Sequence, residues 1–439
     1  MNLSDQIREA GVVGAGGAGF PAHVKAASRV DTVIANGAEC EPLLHKDFEI
    51  MMRHAPEVVE GVRLMMASTG AQRGLVGIKQ KNADAITMVT RAAEGKNIGI
   101  HTLGDFYPSG DEYILVYEAT GRLIPPQGIP LNVGVVVNNV ETLLNVARAV
   151  RGIPVTRKWI TVTGAVRTPV TFAAPIGMSF RDAIAVAGGA TAENCGVFVG
   201  GVMMGALEFN MDRPVTKTTA GLVVLPADHT LVVRKSKPEK AMHRIGKSAC
   251  DQCSFCTELC PRYLLGYDVQ PHKVMRSLGF TETGEVVWNQ YASLCCACGL
   301  CTLYACPESL FPKEACDRSK VEMRARGEKW SGKTEVRPHA MYEGRRTPVQ
   351  QLVKRLGLKT FDRHAEFAGD VAVPGKVVIP LSQHAGAPAV ARVKVGQRVR
   401  EGECIGDIRE GALGSQIHSS IGGVVRAVNE TIEIEGDDA

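Results

Sequence analysis

Two spaced runs of cysteine constrain this chain more than anything else in it. Cys250, Cys253, Cys256 and Cys260 stand as C-x2-C-x2-C-x3-C and are followed by Pro261. Cys295, Cys298, Cys301 and Cys306 stand as C-x2-C-x2-C-x4-C and are followed by Pro307. Paired runs of this kind hold two 4Fe–4S clusters: three close thiolates grip one cubane, and the cysteine before proline goes to the other. The pattern therefore groups Cys250, Cys253 and Cys256 with Cys306, and Cys295, Cys298 and Cys301 with Cys260. Two clusters mean one-electron traffic. A zinc ribbon uses paired C-x2-C ligands and has no role for a third cysteine three residues on. Disulfides fit poorly with 13 cysteines, an odd count, and with a start that lacks signal-peptide features. Cys296 neighbours Cys295, but only Cys295 stands three before Cys298. Cys40, Cys195, Cys316 and Cys404 receive no role.

At 439 residues the chain has room for about three or four domains. A net charge of +4 and a pI near 8.4 argue against a nucleic-acid surface. No uninterrupted apolar run reaches the roughly 18 residues of a transmembrane segment. The opening MNLSDQIREAG reads as a short amphipathic helix whose Leu3/Ile7 stripe faces a core, with shell targeting as the alternative. Reduced thiols and clusters fit the cytoplasm.

The expected fold is a multidomain α/β chain. Residues 1–150 alternate buried strands (DTVIANGAE, GLVGIKQ, NIGIHTLG, VGVVVNN) with helices (EVVEGVRLMMAS, NADAITMVTRAAEG), an α/β layer. Residues 151–236 read as a β-grasp module with one helix, at FRDAIAVAGGA. Residues 237–330 carry the cysteine runs in a helical, ferredoxin-like domain, with LLGYDVQPHKVMRSLGF and KVEMRARGEK as helical stretches. Residues 331–375 turn polar and Pro/Gly-rich and read as a linker with one short helix near VQQLVKRLG. Residues 376–439 are short strands with Gly punctuation, and VKVGQRVREGECIG is similar to the hammerhead of barrel-sandwich domains. A biotin or lipoate carrier needs a lysine at its exposed turn. The corresponding turn is His418-Ser419-Ser420-Ile421, so the domain is structural or docking.

Gly14-Ala15-Gly16-Gly17-Ala18-Gly19 satisfies G-x-G-x-x-G, but the dinucleotide fingerprint needs a strand before it, and SDQIREAG looks helical. Closely spaced glycines still let backbone amides reach a phosphate, and a following helix N-terminus favours an anion. A tight structural turn is the lesser alternative.

GAGGAGFPAHVK (14–25) resembles the GRGGAGFPTGLK loop of the NADH- and flavin-binding subunit of respiratory complex I. Asn36-Gly37-Ala38-Glu39-Cys40-Glu41-Pro42 with Lys46-Asp47, then Tyr107-Pro108-Ser109-Gly110-Asp111-Glu112, then Asn138-Asn139-Val140-Glu141-Thr142 follow in that family's order. The resemblance implies an FMN site with NADH stacked on the flavin. Gly14, Gly16, Gly17, Gly19 and Lys25 would hold the FMN phosphate. Asn36, Asn138, Asn139 and Thr142 would bond ribityl or ring atoms. Glu39, Glu41 and Glu112 would shape the flavin and nicotinamide pocket, with Phe20 towards the adenine. Ala38 stands where the family has an acidic residue, which weakens the carry-over of the NADH contacts.

The domain set is similar to RnfC of the Rnf electron-transport complex, which carries its barrel-sandwich segment at the N-terminus. With that segment at the C-terminus, the chain resembles the cobalamin reductases of propanediol-utilising bacterial microcompartments over essentially its full length. That family implies NADH-dependent reduction of cob(III)alamin and cob(II)alamin for re-adenosylation. The implied partners are cobalamin, an adenosyltransferase and shell proteins, and the implied site is a microcompartment in the cytoplasm. The alternatives are an Rnf-like protein feeding ferredoxin or quinone, and a scaffold that keeps clusters for structure. No catalytic acid or base is expected beyond the cofactors. A corrinoid-binding D-x-H-x-x-G is absent: Asp362-Arg363-His364-Ala365-Glu366-Phe367 puts phenylalanine at the glycine position. His364 reads as a solvated loop histidine. His243, His272 and His384 read as exposed-loop or structural residues, with His384 a remote candidate for cobalt.

Overall fold

Four runs rich in β-branched residues, three of them buried on both faces and the edge strand partly exposed, form the sheet that organises the first third of the molecule. The computed structural model describes residues 2–278, 289–369 and 371–437. Its first elements are α1 (Leu3–Glu9), α2 (Ala22–Ala26), β1 (Thr32–Gly37), α3 (Lys46–Thr69), β2 (Arg73–Lys79) and α4 (Ala83–Ala93). They continue with β3 (Ile98–Leu103), β4 (Phe106–Tyr107), α5 (Glu112–Thr120), β5 (Val135–Asn139) and α6 (Val140–Ala149). The sheet order is β3-β2-β1-β5, all parallel. Side chains alternate along a strand. Val33 and Ala35 pack on the α3, α4 and α6 side, whereas Ile34 packs with Leu115 of α5.

The four expected strands all form. Helix α3 starts eleven residues before the expected EVVEGVRLMMAS, because Pro56 does not end it. His54 leaves helical geometry (φ −127°, ψ 24°) and a kink absorbs the proline. Gly61 lets α3 cross α6 closely: a Cβ there would sit 2.1 Å from the Leu143 carbonyl oxygen. The opening helix folds inward, with Ile7 fully buried.

The β-grasp module contributes β6 (Arg157–Gly164), β7 (Val170–Pro175), α7 (Phe180–Val186), β8 (Cys195–Val199), β9 (Ala206–Glu208) and β10 (Gly221–Pro226). The cysteine domain is built of short helices. LLGYDVQPHKVMRSLGF is a helix only over Pro271–Ser277, because Gly266 and Pro271 interrupt it, and its last two residues lie outside the described residues. KVEMRARGEK ends a longer helix, Pro312–Ala325.

The stretch 331–375 differs from the expected linker. Thr347–Pro348 pairs antiparallel with β4, and Glu366–Phe367 extends the β-grasp sheet beside β7. Local composition carries no sign of this, because both strands are two residues long and are fixed by their partners. His364 is about half exposed, but it docks on Glu49 (3.4 Å) and the His45 ring. His243 is buried on a helix, with its Nδ1 2.7 Å from Arg318.

The C-terminal strands form a four-stranded and a three-stranded sheet whose inner faces share one apolar cluster with α1, α3 and α6. The hammerhead turn is sealed. Ser419 and Ser420 are fully buried, and the Ser420 hydroxyl donates to the Ile176 carbonyl of the β-grasp module.

Candidate functional site

Ligands of parallel α/β sheets bind beyond the carboxyl ends of the strands. Here β1 and β5 end at Gly37 and Asn139, and a cavity of about 610 Å³ opens there. Gly14, Gly16, Phe20, Lys25, Asn36, Glu39, Glu41, Glu112, Asn138, Asn139 and Thr142 all line it. Gly17 and Gly19 do not. Gly19, at φ +64°, instead lets the backbone approach Thr218 and His384, where a Cβ would meet atoms at 2.9 and 3.1 Å.

The glycine loop is held from below. Its Ala15 amide donates to the Thr142 hydroxyl (2.9 Å), and its Gly14 amide to the Phe20 carbonyl (2.8 Å). The amides of Gly16, Gly17 and Ala18 donate to no protein group among the described residues. Unpaired neighbouring amides beside Lys25 make an anion cradle. Helix α2, expected to add its dipole, is only five residues long, so the amides and Lys25 must supply the attraction. Lys25 Nζ donates to the Val137 carbonyl (2.7 Å) and lies 3.5 Å from Glu112. Asn139 caps α6 by accepting from the Glu141 amide and donates to Asp47 (2.9 Å). Asn138 is 5 % exposed, and its Nδ2 has no partner among the described residues. An orphaned donor in a cavity wall calls for a ligand acceptor.

Two carboxyls set the electrostatics. Glu39 accepts from the amides of Asp47 and Phe48, capping α3. Glu41 accepts from the amides of Met203 (3.0 Å) and Met204 (2.8 Å), tying the cavity to the β-grasp loop. Gly201 is at φ +118°, and a Cβ there would meet Glu41 at 2.3 Å. Burial pushes both carboxyls up to about 7, with the Asp47 charge adding to the rise at Glu39. An anion beside them binds best while they are neutral. FMN affinity is therefore expected to fall severalfold from about pH 6 to about pH 8, and Glu39→Gln to flatten that slope. Equilibrium titration of apoprotein checks this, and a flat wild-type profile refutes it. The sign for stability is the same: raised carboxyl values stabilise fully below their ordinary 4.5, and that share is lost as pH rises through 7.

Sequence reasoning missed the charges under the loop. Glu141 bonds Lys158, Lys46 (3.3 Å) and the Trp159 amide (2.9 Å), and all three side chains are buried. Lys158 also donates to the Ala15 carbonyl (3.1 Å), so this network supports the cradle. Nothing local distinguishes Lys158 from an ordinary strand lysine. Ala38 is fully buried against Gly110, so its methyl faces the core and not the cavity.

Cys296 and Cys298 also line the cavity. The Tyr107 hydroxyl donates to the Cys298 carbonyl (2.7 Å), and buried Arg262 bonds Asp111 (2.8 Å), the cap of α5. These join the cysteine domain to the cavity domain. The thiols fall into two sets. Cys256 is raised by burial and by the neighbouring charges of Cys306, Cys250 and Cys253. Cys260 is raised by burial and by Cys295 and Cys296, and Cys301 by burial, by Cys295 and Cys260 and, less, by Cys256 of the first set. Sulfurs that oppose each other's ionisation fit a cationic iron core between them. Amides bond two of them, from Ala297 to Cys295 and from Leu310 to Cys306, both at 3.3 Å.

The two loops repeat one backbone shape. Gln252 and Ser254 are left-handed (φ 58° and 65°), as are Ala297 and Gly299 (φ 57° and 81°). The repeat places Cys295, not Cys296, in the position of Cys250. The extra residue of the second run is taken up by a π-helical turn over Cys301–Ala305, the usual form of a one-residue insertion. Cys316, given no role from sequence, is fully buried, and its hydrogen bond lowers Cys295 to about 7.

Known proteins match each part. Residues 7–148 match the Nuo51 FMN-binding domain, 159–206 an SLBB domain, 249–311 a 4Fe-4S dicluster domain and 362–439 the RnfC barrel sandwich hybrid domain. One component of the proton-translocating ferredoxin:NAD(+) oxidoreductase complex of Clostridium ljungdahlii is 38% identical over 59% of this chain and 55% of its own. A crystal structure of an NAD+-reducing NiFe hydrogenase superposes with a TM-score of 0.50 at 21% identity, covering 77% of this chain and 63% of that one, a likeness of fold. The cobalamin reductases PduS of Salmonella typhimurium and Citrobacter freundii are 43% and 41% identical, each over 98% of this chain and 95% of theirs. A match that spans cavity, cysteine runs and sealed barrel sandwich alike makes this chain a member of the PduS cobalamin reductase family.

Proposed function

We propose that this chain is an oxidoreductase that takes electrons from NADH and reduces cobalamin. The observation that carries the reading is one cavity lined both by an anion cradle and by two residues of a cluster run. FMN accepts a hydride pair and gives up single electrons, the usual reason it stands between nicotinamide and iron–sulfur. Gly16, Gly17 and Ala18 amides with Lys25 would hold its phosphate, and Asn138 Nδ2 would bond a ring or ribityl acceptor. Glu39, Glu41 and Glu112 would border the flavin and nicotinamide. Gly17 would serve through its amide and Gly19 through its turn, since neither lines the cavity. The two thiol sets would hold two 4Fe–4S clusters. The relatives' names support cobalamin as acceptor. On the family resemblance the chain would work in the cytoplasm, in or beside a microcompartment, with an adenosyltransferase and shell proteins as partners. No helix among the described residues is long and apolar enough to cross a membrane.

The test is the visible spectrum of anaerobically purified protein before and after NADH, then after hydroxocobalamin. Flavin and cluster bleaching followed by the cob(II) spectrum is expected. Bleaching with no corrinoid change would move the acceptor to ferredoxin or quinone, as in the Rnf-like reading.

A further inference from the structure

We propose that the corrinoid docks on the exposed face of the first cysteine run, over the Phe255 ring, and not in the flavin cavity. This rests on the cobalamin-reducing reading above. The two thiol sets are unequal in exposure. Cys298 and Cys301 are 7% and 8% exposed, and Cys298 turns to the cavity. In the first set Cys253 is exposed, Cys250 and Cys306 are half-buried and Cys256 is buried, whereas in the second Cys295 alone is half-buried and none is exposed. One set therefore faces the cavity and the other faces solvent.

The solvent-facing set carries an aromatic with no ring or cation partner among the described residues. Phe255 stands between Cys253 and Cys256 and is 49% exposed. Its loop is fixed on both sides: Ser254 is left-handed, and buried Thr257 holds His272 Nδ1 at 2.7 Å. The backbone that turns Cys256 inward thus turns Phe255 outward. Asp251, next in the chain to Cys250, and Pro307 and Glu308, which follow Cys306, are exposed. Glu258 is neutralised by Arg345 at 3.4 Å, which leaves Asp251 and Glu308 as rim carboxylates. An exposed apolar ring on a thiol set flanked in the chain by two carboxylates suits a macrocycle that carries positive charge at its metal.

The cavity is committed elsewhere. At about 610 Å³ it suits a ligand of flavin size. With a flavin bound and nicotinamide admitted beside it, a corrin ring there would have to compete with the electron donor. The stoichiometry balances: one NADH and two cob(III)alamin give NAD+, one proton and two cob(II)alamin, each corrinoid gaining one electron at the outer face.

The experiment compares wild type with Phe255→Ala, Phe255→Tyr and the pair Asp251→Asn/Glu308→Gln, all reconstituted and assayed with NADH. Phe255→Ala is expected to lower the hydroxocobalamin rate at subsaturating corrinoid about tenfold, the loss of one stacking contact. Retention of hydroxocobalamin by the oxidised protein in ultrafiltration should fall by the same factor. Iron content, bleaching by NADH and ferricyanide reduction should stay at wild-type values, and Phe255→Tyr should recover both corrinoid readouts. Unchanged corrinoid binding and rate in Phe255→Ala overturns the proposal and leaves the function standing. If Phe255→Ala loses iron, the carboxylate pair decides in the same assays: weaker corrinoid binding supports the face, unchanged binding overturns it. A wild type that bleaches with NADH and forms no cob(II) overturns the cobalamin reading, and the docking face with it.

Discussion

Cys306→Ser is expected to empty the site of the other run. Its thiol lies with those of Cys250 and Cys253 of the first run. Iron should fall from about eight to about four atoms per chain. Adding Cys253→Ser should cost no more iron, because both ligands serve one cluster. Adding Cys298→Ser should empty both, a contrast that double substitution isolates. NADH should still bleach the flavin and one cluster in Cys306→Ser, while transfer to hydroxocobalamin fails. If Cys306→Ser and Cys298→Ser prove to lose the same cluster, each run is self-contained and the crossed grouping is wrong.

Glu141→Gln is expected to be the most destabilising single change near the flavin cavity. The carboxylate compensates two buried lysines at once and also caps the Trp159 amide. Burial lowers Lys158 to about 8 even with Glu141 in place, whereas Asp47 and Glu141 hold Lys46 above its ordinary value against burial. Removing one partner of a buried ion pair leaves an uncompensated charge, a loss of about 3–5 kcal/mol. At roughly 2–4 °C per kcal/mol, unfolding should move down by about 10 °C. FMN should dissociate first, because Lys158 holds the Ala15 carbonyl of the cradle. Lys158→Met added to Glu141→Gln should recover part of the loss, since it withdraws the stranded charge. Thermal unfolding with flavin fluorescence reads both effects. A double variant no more stable than the single one would show that packing, not charge, governs the site.

The residues that repeat a pattern are the ones legible in the sequence. The cysteine runs announce themselves by spacing, the four parallel strands by β-branched runs, and the cavity residues by four ordered motifs. What stayed hidden is set by tertiary partners. Lys158 looks like any strand lysine until Glu141 arrives from α6. Thr347–Pro348 becomes a strand only because β4 lies beside it. Gly17 and Gly19 share a motif with Gly16, yet only the fold separates the glycine that faces the cavity from the one that seats the chain against His384. Cys316 has no spacing relation to either run and is brought to Cys295 by a helix that starts at Pro312.

The hammerhead turn of the barrel sandwich, sealed against the β-grasp module, bears on how product is made. Carrier domains of this architecture work by swinging a tethered group between stations. With Ser419 and Ser420 buried and the Ser420 hydroxyl committed to Ile176, this domain has no arm to swing and no freedom to travel. Transfer must then occur by encounter: the acceptor comes to a stationary protein. Turnover at low acceptor should therefore scale with acceptor concentration and with the viscosity of the medium.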